Sequence, residues 1–251
     1  MTAGAGTGGR GRGAGAAGGR GGTDGGRQGG RKPLEVVVSA GPTREYVDPV
    51  RYLSNESSGR MGFSIAAALA RRGARVTLVA GPVVLVAPEG VRRVDVVSAR
   101  DMFAAVRRAF RSADALVMSA AVADWRPSKR LAGKWRKKDG GAETARLELT
   151  RNPDILASVA RSKGRRLVVG FALETGDGER RAQAKLRRKN LDYVVLNDES
   201  ALNAKRSSAT ILGRDGSRRK LVQRSKEDIA EVLAELVTVG ARATSRAQRG
   251  S

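Results

Sequence analysis

Short runs of β-branched apolar residues alternate with longer stretches of helical period along most of this chain, and that alternation limits the folds open to it. The runs are EVVVSA at 35–40, RVTLVA at 75–80, VRRVDVV at 91–97 and ALVMS at 115–119. Between them, MGFSIAAALARR at 61–72 reads as a helix stopped by Gly73. Ser98, with Asp101 three residues on, reads as the cap of a helix running through Phe110. Strands and helices in this order predict an α/β, Rossmann-like, doubly wound and mostly parallel sheet, with ligands at the carboxyl ends of the strands.

The second half continues the pattern with departures. Residues 144–150 alternate like an exposed strand, and Asn152-Pro153-Asp154 reads as a helix start with Asn as cap and Pro at the first helical position. A buried strand at 167–172, a basic helix at 178–189 and a strand at 193–196 complete another unit. Runs at 209–212 and 220–223 flank Asp215-Gly216, a hairpin signal, and Ser225 with Asp228 caps the last helix. This end predicts a small antiparallel C-terminal appendage.

Residues 1–32 are nearly all Gly, Arg, Ala, Thr and Gln, with almost no large apolar side chain to offset the entropy of ordering. They read as a disordered arm, 33–239 as the α/β domain and 240–251 as a second frayed tail. No aromatic in the arm offers a base a platform, so a tolerated extension is the simpler reading than an RNA contact.

The chain holds neither Cys nor His, which excludes disulfides, thiolate nucleophiles, imidazole bases and sites ligated by either residue. Its 48 Lys+Arg against 25 Asp+Glu give a formal charge of +23 and a preference for polyanions or phosphorylated small molecules. The arm carries six Lys/Arg and one Asp, so most of the excess lies on the core. No apolar run approaches the roughly 20 residues of a membrane span, which predicts a cytoplasmic protein without a membrane partner.

The chemistry-bearing segments lie at the predicted strand ends. Neither a G-x-G-x-x-G turn nor a Walker phosphate loop follows a strand, which disfavours a plain dehydrogenase or a P-loop ATPase. Ser57-Ser58-Gly59 stands directly before a helix, where free N–H groups and hydroxyls suit a phosphate, although ordinary capping serves as well. Asp124, after the fourth strand, suits Mg²⁺ or a ribose hydroxyl, or else a tight turn. The run KRLAGKWRKK at 129–138 is a solvated face or a cover that neutralises phosphates. Lys185 and Lys189 share one side of a helix and leave the same two options open.

Taken together, SAGPTREYVDPVRYLSNESSGRMG, SAAVADWRP, RNPDIL, VVGFALETGD and AKLRRKNLDYVVLND resemble, in order and spacing, bacterial phosphopantothenoylcysteine synthetase. This is the ligase half of the bifunctional coenzyme A biosynthesis protein, and the likeness spans about residues 34–238. It implies CTP-dependent ligation of 4′-phosphopantothenate to L-cysteine through an acyl-cytidylate, with release of pyrophosphate and then CMP. The reacting amine comes from a substrate, so the lack of Cys and His is no obstacle. The enzyme supplies position and charge.

The resemblance assigns Asn55 and Lys134 as catalytic residues, Asn55 bonding the acyl-cytidylate and Lys134 acting in its turnover and on the CTP phosphates. It assigns Met118, Ser119, Ala120, Asp124, Lys134, Pro153, Asp154, Ile155, Leu156, Phe171, Lys185 and Lys189 to the nucleotide. Asp124 stands on the metal side, Mg²⁺ is the expected ion, and Ser57, Ser58 and Gly59 become phosphate contacts. It further implies a homodimer. The flavin-dependent decarboxylase half of the family's bifunctional members is not matched, which predicts ligation only, no flavin, and room for a separate decarboxylase partner. In the basic loop Gly133 precedes Lys134 where the family often has Glu or Ser, and Lys129, Lys137 and Lys138 are neighbours. The competing reading from another class is a nucleic-acid-binding protein on an α/β scaffold with an RNA-touching Gly/Arg arm.

Overall fold

The computed structural model describes Met1, Gly4 and residues 32–136, 144–173, 176–197 and 206–247. The chain divides into Met1–Lys32 and Pro33–Ser251, and the fold is that of the second unit. The expected disorder of the arm, and Lys137 and Lys138, lie outside the described residues.

The elements are β1 (Glu35–Ala40), β2 (Arg44–Tyr46), β3 (Tyr52–Ser54), α1 (Arg60–Arg71), β4 (Arg75–Ala80), β5 (Val91–Asp95), α2 (Ala99–Phe110) and β6 (Ala115–Met118). They continue with β7 (Trp125–Pro127), β8 (Leu149–Arg151), α3 (Ile155–Arg161), β9 (Leu167–Leu173), α4 (Gly178–Arg188), β10 (Tyr193–Asn197), β11 (Arg206–Gly213), β12 (Arg218–Ser225) and α5 (Lys226–Ala247).

Eight strands form one sheet in the order β12-β11-β10-β9-β6-β1-β4-β5. From β5 to β10 neighbouring strands are parallel; β11 and β12 add on antiparallel. The chain winds outward from β1 through β4 to β5, then returns to β6 and winds the other way. The order reverses between β1 and β6, so a crevice opens at their carboxyl ends. A parallel bridge between Pro42 and Ala121 continues the pairing just past both strands.

Alternation along β1 divides the core. Val36 and Val38 face α1 and α5, packing with Phe63, Ile65, Leu69, Ile229 and Leu233. Val37 faces the opposite layer, with Met102 and Val106 of α2, Leu156 and Val159 of α3, and Leu186 of α4. Ser98 and Asp101 close the expected capping box on α2, a motif worth about 1 kcal/mol.

Three expectations are corrected. Only β8 forms in the segment expected to be a strand at 144–150, and it pairs antiparallel with β7, a strand the apolar pattern missed. The cap of α3 is Asp154, whose side chain accepts the Ala157 N–H, because Asn152 is engaged elsewhere: its Nδ2 donates to the Ala123 carbonyl at 2.9 Å. The hairpin β11–β12 forms the expected antiparallel end of the chain, and it joins the main sheet through β10. The expected tail from Gly240 is helical through Ala247. Gly240 ends nothing there: a Cβ on it would stand 2.6 Å from Leu167 Cδ1, and the neighbouring Ala241 is fully buried.

Candidate functional site

Two loops meet at the crevice, one leaving β1 and the other leaving β6, and side-chain hydroxyls join them. Ser119 Oγ donates to the Ser39 carbonyl at 2.7 Å, and Ser39 Oγ accepts the Ala120 N–H at 3.2 Å. Thr43 Oγ1 accepts the Ala123 N–H at 3.0 Å, and the Ala121 N–H donates to the Gly41 carbonyl at 2.9 Å. Gly41 and Gly59 both have positive φ and lie against one another, since a Cβ on Gly59 would stand 3.3 Å from Gly41 Cα. That contact brings the loop before α1 down onto the end of β1.

Two cavities open from this junction. One, of about 460 Å³, is lined by Met118, Ala120, Asp124, Pro153, Asp154, Ile155, Leu156, Phe171, Lys185 and Lys189, all assigned to the nucleotide by sequence. The other, of about 680 Å³, is lined by Asn55, Ser57, Ser58, Gly59 and Ser119. Ala120, Val122, Asp124, Phe171 and Lys185 line both, so the two are adjoining halves of one concavity.

In the first half, Lys189 Nζ lies 2.8 Å from Asp154 Oδ2, and Lys185 Nζ donates to the Phe171 carbonyl at 2.6 Å. Burial pushes the Asp154 carboxyl up, but the bond from Lys189, the Ala157 N–H and the charges of Lys189 and Lys185 outweigh it and hold the group below its ordinary value. Both lysines are thus anchored on the cavity wall, where they can meet phosphate oxygens.

In the second half, Asn55 Nδ2 donates to the Val122 carbonyl at 3.2 Å, tying the loop before α1 to the loop after β6. No side chain caps α1. The first-turn residues Arg60, Met61 and Gly62 line this cavity, and at a helix start their backbone N–H groups have no intrahelical acceptor.

Lys134 lines neither half. It is exposed on the loop after β7, and that loop is held from beneath. The Leu131 N–H donates to the Val47 carbonyl at 2.8 Å, and Asp48 Oδ2 accepts the Trp135 N–H at 3.1 Å. Arg51 Nη1 donates both to Asp48 Oδ2 at 3.0 Å and to the Trp135 carbonyl at 2.7 Å.

Sequence reasoning missed Asn197, Ser207, Arg60 and Lys226, all on the wall of the second half. Asn197 ends β10 at the same edge as the other ligand-side strands, a signal the strand pattern carried. Ser207 and Lys226 come from β11 and the start of α5, where no motif marks them. Asn197 Oδ1 and Ser207 Oγ are buried without a hydrogen-bond partner.

Among the described residues no group of three acidic side chains could hold a metal, and no helix is long and apolar enough to cross a membrane. Asp124, shared by both halves, is a single carboxylate. Mg²⁺ carried on a nucleotide triphosphate needs no more than one or two protein carboxylates, so the donor set fits an ion that arrives with its nucleotide.

The concavity thus offers anchored cations, a carboxamide and free N–H groups, with no Cys or His. Such a set is chemically suited to phosphates and to an oxygen that gains negative charge. Residues 32–239 match the family model described as DNA/pantothenate metabolism flavoprotein C-terminal domain. The chain is 44% identical over 213 residues to the coenzyme A biosynthesis bifunctional protein CoaBC of Escherichia coli K12, covering 82% of this chain and 52% of that protein. It is 43% identical over 216 residues to the Bacillus subtilis protein of the same name, with the same shares. The chain therefore spans about half the length of these curated relatives. The solved C-terminal domain of a CoaBC superposes with a TM-score of 0.70 at 36% identity, covering 82% of this chain and 95% of that one. The fold, the site-bearing loops and these matches agree: the chain belongs to the DNA/pantothenate metabolism flavoprotein C-terminal domain family.

Proposed function

We propose that this chain joins 4′-phosphopantothenate to L-cysteine at the expense of CTP. A substrate carboxylate oxygen attacks the α-phosphorus of CTP, the bond to the β-phosphate breaks, and pyrophosphate leaves. The cysteine amine then attacks the acyl carbon, loses a proton, and CMP departs with the electrons of the C–O bond. The observation that carries this reading is the pair of adjoining cavities. Lys185 and Lys189 line the half suited to a nucleotide, and Asn55 and the open start of α1 line the half suited to a phosphorylated acid.

Asn55 donates to the oxygen that gains charge when the amine attacks, a role for a group that does not titrate. Lys134 acts on the activated intermediate from the loop after β7. Phe171 flanks the base or ribose, while the backbone at Met118, Ser119 and Ala120, with Pro153, Asp154, Ile155 and Leu156, reads the cytosine. Ser57, Ser58 and Gly59 contact phosphate. Asp124 holds Mg²⁺ that accompanies the triphosphate. The same reading makes the protein a cytoplasmic homodimer that uses no flavin and hands its product to a separate decarboxylase. The relatives' assignment to coenzyme A biosynthesis supports it.

The test is a turnover assay that omits one reactant at a time and replaces CTP by each other nucleotide. Pyrophosphate and CMP should appear in equal amounts only when CTP, phosphopantothenate and cysteine are all present. Salt-sensitive retention of RNA without any CMP would favour the nucleic-acid reading instead.

A further inference from the structure

α2 and α3 run back from the carboxyl end of the sheet to its amino end, and between their last turns lies a separate cavity of about 470 Å³. It shares no lining residue with either half of the concavity. Arg107, Arg111, Arg161 and Arg166 line it together with Phe103 and Phe110, and among the described residues no carboxylate does.

Arginines near helix C-termini ordinarily answer the partial negative charge of the last carbonyls. Here Arg166 performs that task for both helices. Its Nη1 donates to the Phe110 carbonyl, its Nη2 to the Ser162 carbonyl at 2.5 Å and its Nε to the Lys163 carbonyl at 2.9 Å. Its guanidinium also lies 4.2 Å from the centroid of the Phe110 ring, which fixes it as one wall of the cavity. The other three arginines are left without that role. Among the described residues the side chains of Arg107 and Arg111 form no ion pair or hydrogen bond, and Arg161 Nη2 reaches only Ser158 Oγ, at 3.5 Å. Arg107 and Arg111 stand four residues apart at the end of α2, where like charges on one face repel. An anion between the helices would relieve that repulsion.

We infer that this cavity is a second anion site, remote from the strand-end concavity, and that its ligand is an oligophosphate: two or more linked phosphates, free or carried on a nucleoside. Three unpartnered guanidiniums call for about three negative charges, and each fork matches two phosphate oxygens. A single phosphate, at about −2, leaves one of them unmatched. A linked pair or triplet carries the charge and spreads its oxygens across arginines that come from two helices. The volume falls within the roughly 300–1,000 Å³ of small-ligand sites, which favours such a molecule over a nucleic-acid strand. Phe103, half-buried on the same wall, offers an apolar face to a base.

The experiment is calorimetric titration of the full chain with tripolyphosphate and, separately, with ATP, at about 0.15 M salt to screen diffuse attraction. Arg107→Gln/Arg161→Gln should weaken one binding event at least about tenfold, the equivalent of one charge-assisted hydrogen bond. Arg219→Gln/Arg224→Gln removes the same charge from exposed positions on β12 and should change that event by less than about twofold. Tighter binding of ATP than of tripolyphosphate assigns the nucleoside-borne ligand, and ATP bound no more tightly assigns the free chain. If the first double variant fails to fold, Arg111→Gln, on an exposed side chain without a partner, carries the comparison. Unchanged affinity in a folded variant, or equal weakening by the β12 pair, overturns the site. None of these readouts depends on turnover, so a chain without ligase activity can still show the site and an active ligase can lack it.

Discussion

Asp48 and Trp135 stand 87 residues apart in the chain, and the carboxylate of the first accepts the backbone N–H of the second at 3.1 Å. Asp48 is fully buried, and its other oxygen accepts the Val50 and Arg51 N–H groups, each at 2.8 Å. One carboxylate therefore closes the turn between β2 and β3 and holds the loop that carries Lys134. Replacing Asp48 by Ala should release that loop and lower turnover by an order of magnitude or more. Trp135 and Trp125 are the only tryptophans in the sequence, so a Trp125→Phe background makes Trp135 a reporter of docking. Acrylamide quenching of Trp135 should rise in Asp48→Ala; quenching and turnover both unchanged would show that the loop needs no such anchor.

The same carboxylate gives a pH signature. Burial raises its pKa, but the N–H groups of Val50, Trp135 and Arg51 and the Arg51 charge together bring it below the ordinary 3.8. A depressed folded-state pKa means stabilisation that is complete above the unfolded value and is lost as pH falls through the folded one. Trp135 quenching should therefore stay flat from neutrality to about pH 4, near the unfolded carboxylate value, and increase only in stronger acid. A rise centred between pH 5 and 7 would contradict the assignment.

Asn55 is the residue whose chemistry is simplest to isolate. Its Nδ2 already donates to the Val122 carbonyl, which orients the carboxamide toward the junction of the two cavities. Asn55→Ala should lower the rate of amide formation by about 10²–10³, the usual cost of one oxyanion donor, with CTP affinity changed by less than about threefold. Asn55→Asp should do no better, since a carboxylate cannot donate and would face the same carbonyl. Rapid-quench measurement of pyrophosphate and product separates the two steps.

Lys134 is exposed and lines neither cavity of the isolated chain, so its contribution is tested by the fate of the intermediate rather than by affinity. Lys134→Gln should slow product formation and let acyl-cytidylate accumulate on a chain whose Trp135 remains docked. Normal product yield from this variant would move the role to Lys129 or Lys137.

The fold was legible where local chemistry and burial point the same way. Val36, Val37 and Val38 are buried on both faces of the sheet, and Ser98 with Asp101 forms the box its spacing predicts. The errors lie where a long-range contact overrides a local signal. Gly240 looks like a helix stop until Leu167 is seen occupying the space a side chain would need. Asn152 looks like a cap until Arg126 Nη1 is found on its Oδ1 at 3.1 Å, with its Nδ2 on Ala123. The lining of the first cavity was legible because most of its residues sit at strand ends in contiguous motifs. Ser207 and Lys226 were not, because only the pairing of β11 with β10 and the packing of α5 on α1 bring them to the cavity.

Asp154 performs two tasks that one pair of substitutions separates. As cap of α3 it is worth about 1 kcal/mol, and Ala should cost that much, a drop of roughly 2–4 °C in Tm for a domain of this size. Asn caps as well as Asp, so Asp154→Asn should keep most of the stability while losing the charge that holds Lys189. The pair is half-exposed on the Asp side, at 49%, and should contribute less than about 1 kcal/mol by itself. Asp154→Asn should therefore change CTP affinity more than it changes Tm. Equal Tm losses in the two variants would show that the ion pair, and not the cap, carries the stability.

Two glycines distinguish strain at the site from strain elsewhere. Gly62 sits in α1 where an added Cβ would lie 2.5 Å from Ala40 Cβ, 2.6 Å from Ser119 Oγ and 2.9 Å from the Ser39 carbonyl. None of these is the free end of a flexible chain, so Gly62→Ala must push α1 off the end of β1, at a cost of about 1–3 kcal/mol. It must also strain the Ser119–Ser39 hydrogen bond that joins the two ligand loops. Gly73, after α1, has open space around it and φ +79°, so Ala there meets only backbone strain, about 1–2 kcal/mol. The two variants should thus lose similar stability, measured by denaturant melts, while only Gly62→Ala raises the KM for CTP. Equal KM values in both would mean that the seam between the β1 and β6 loops does not shape the nucleotide site.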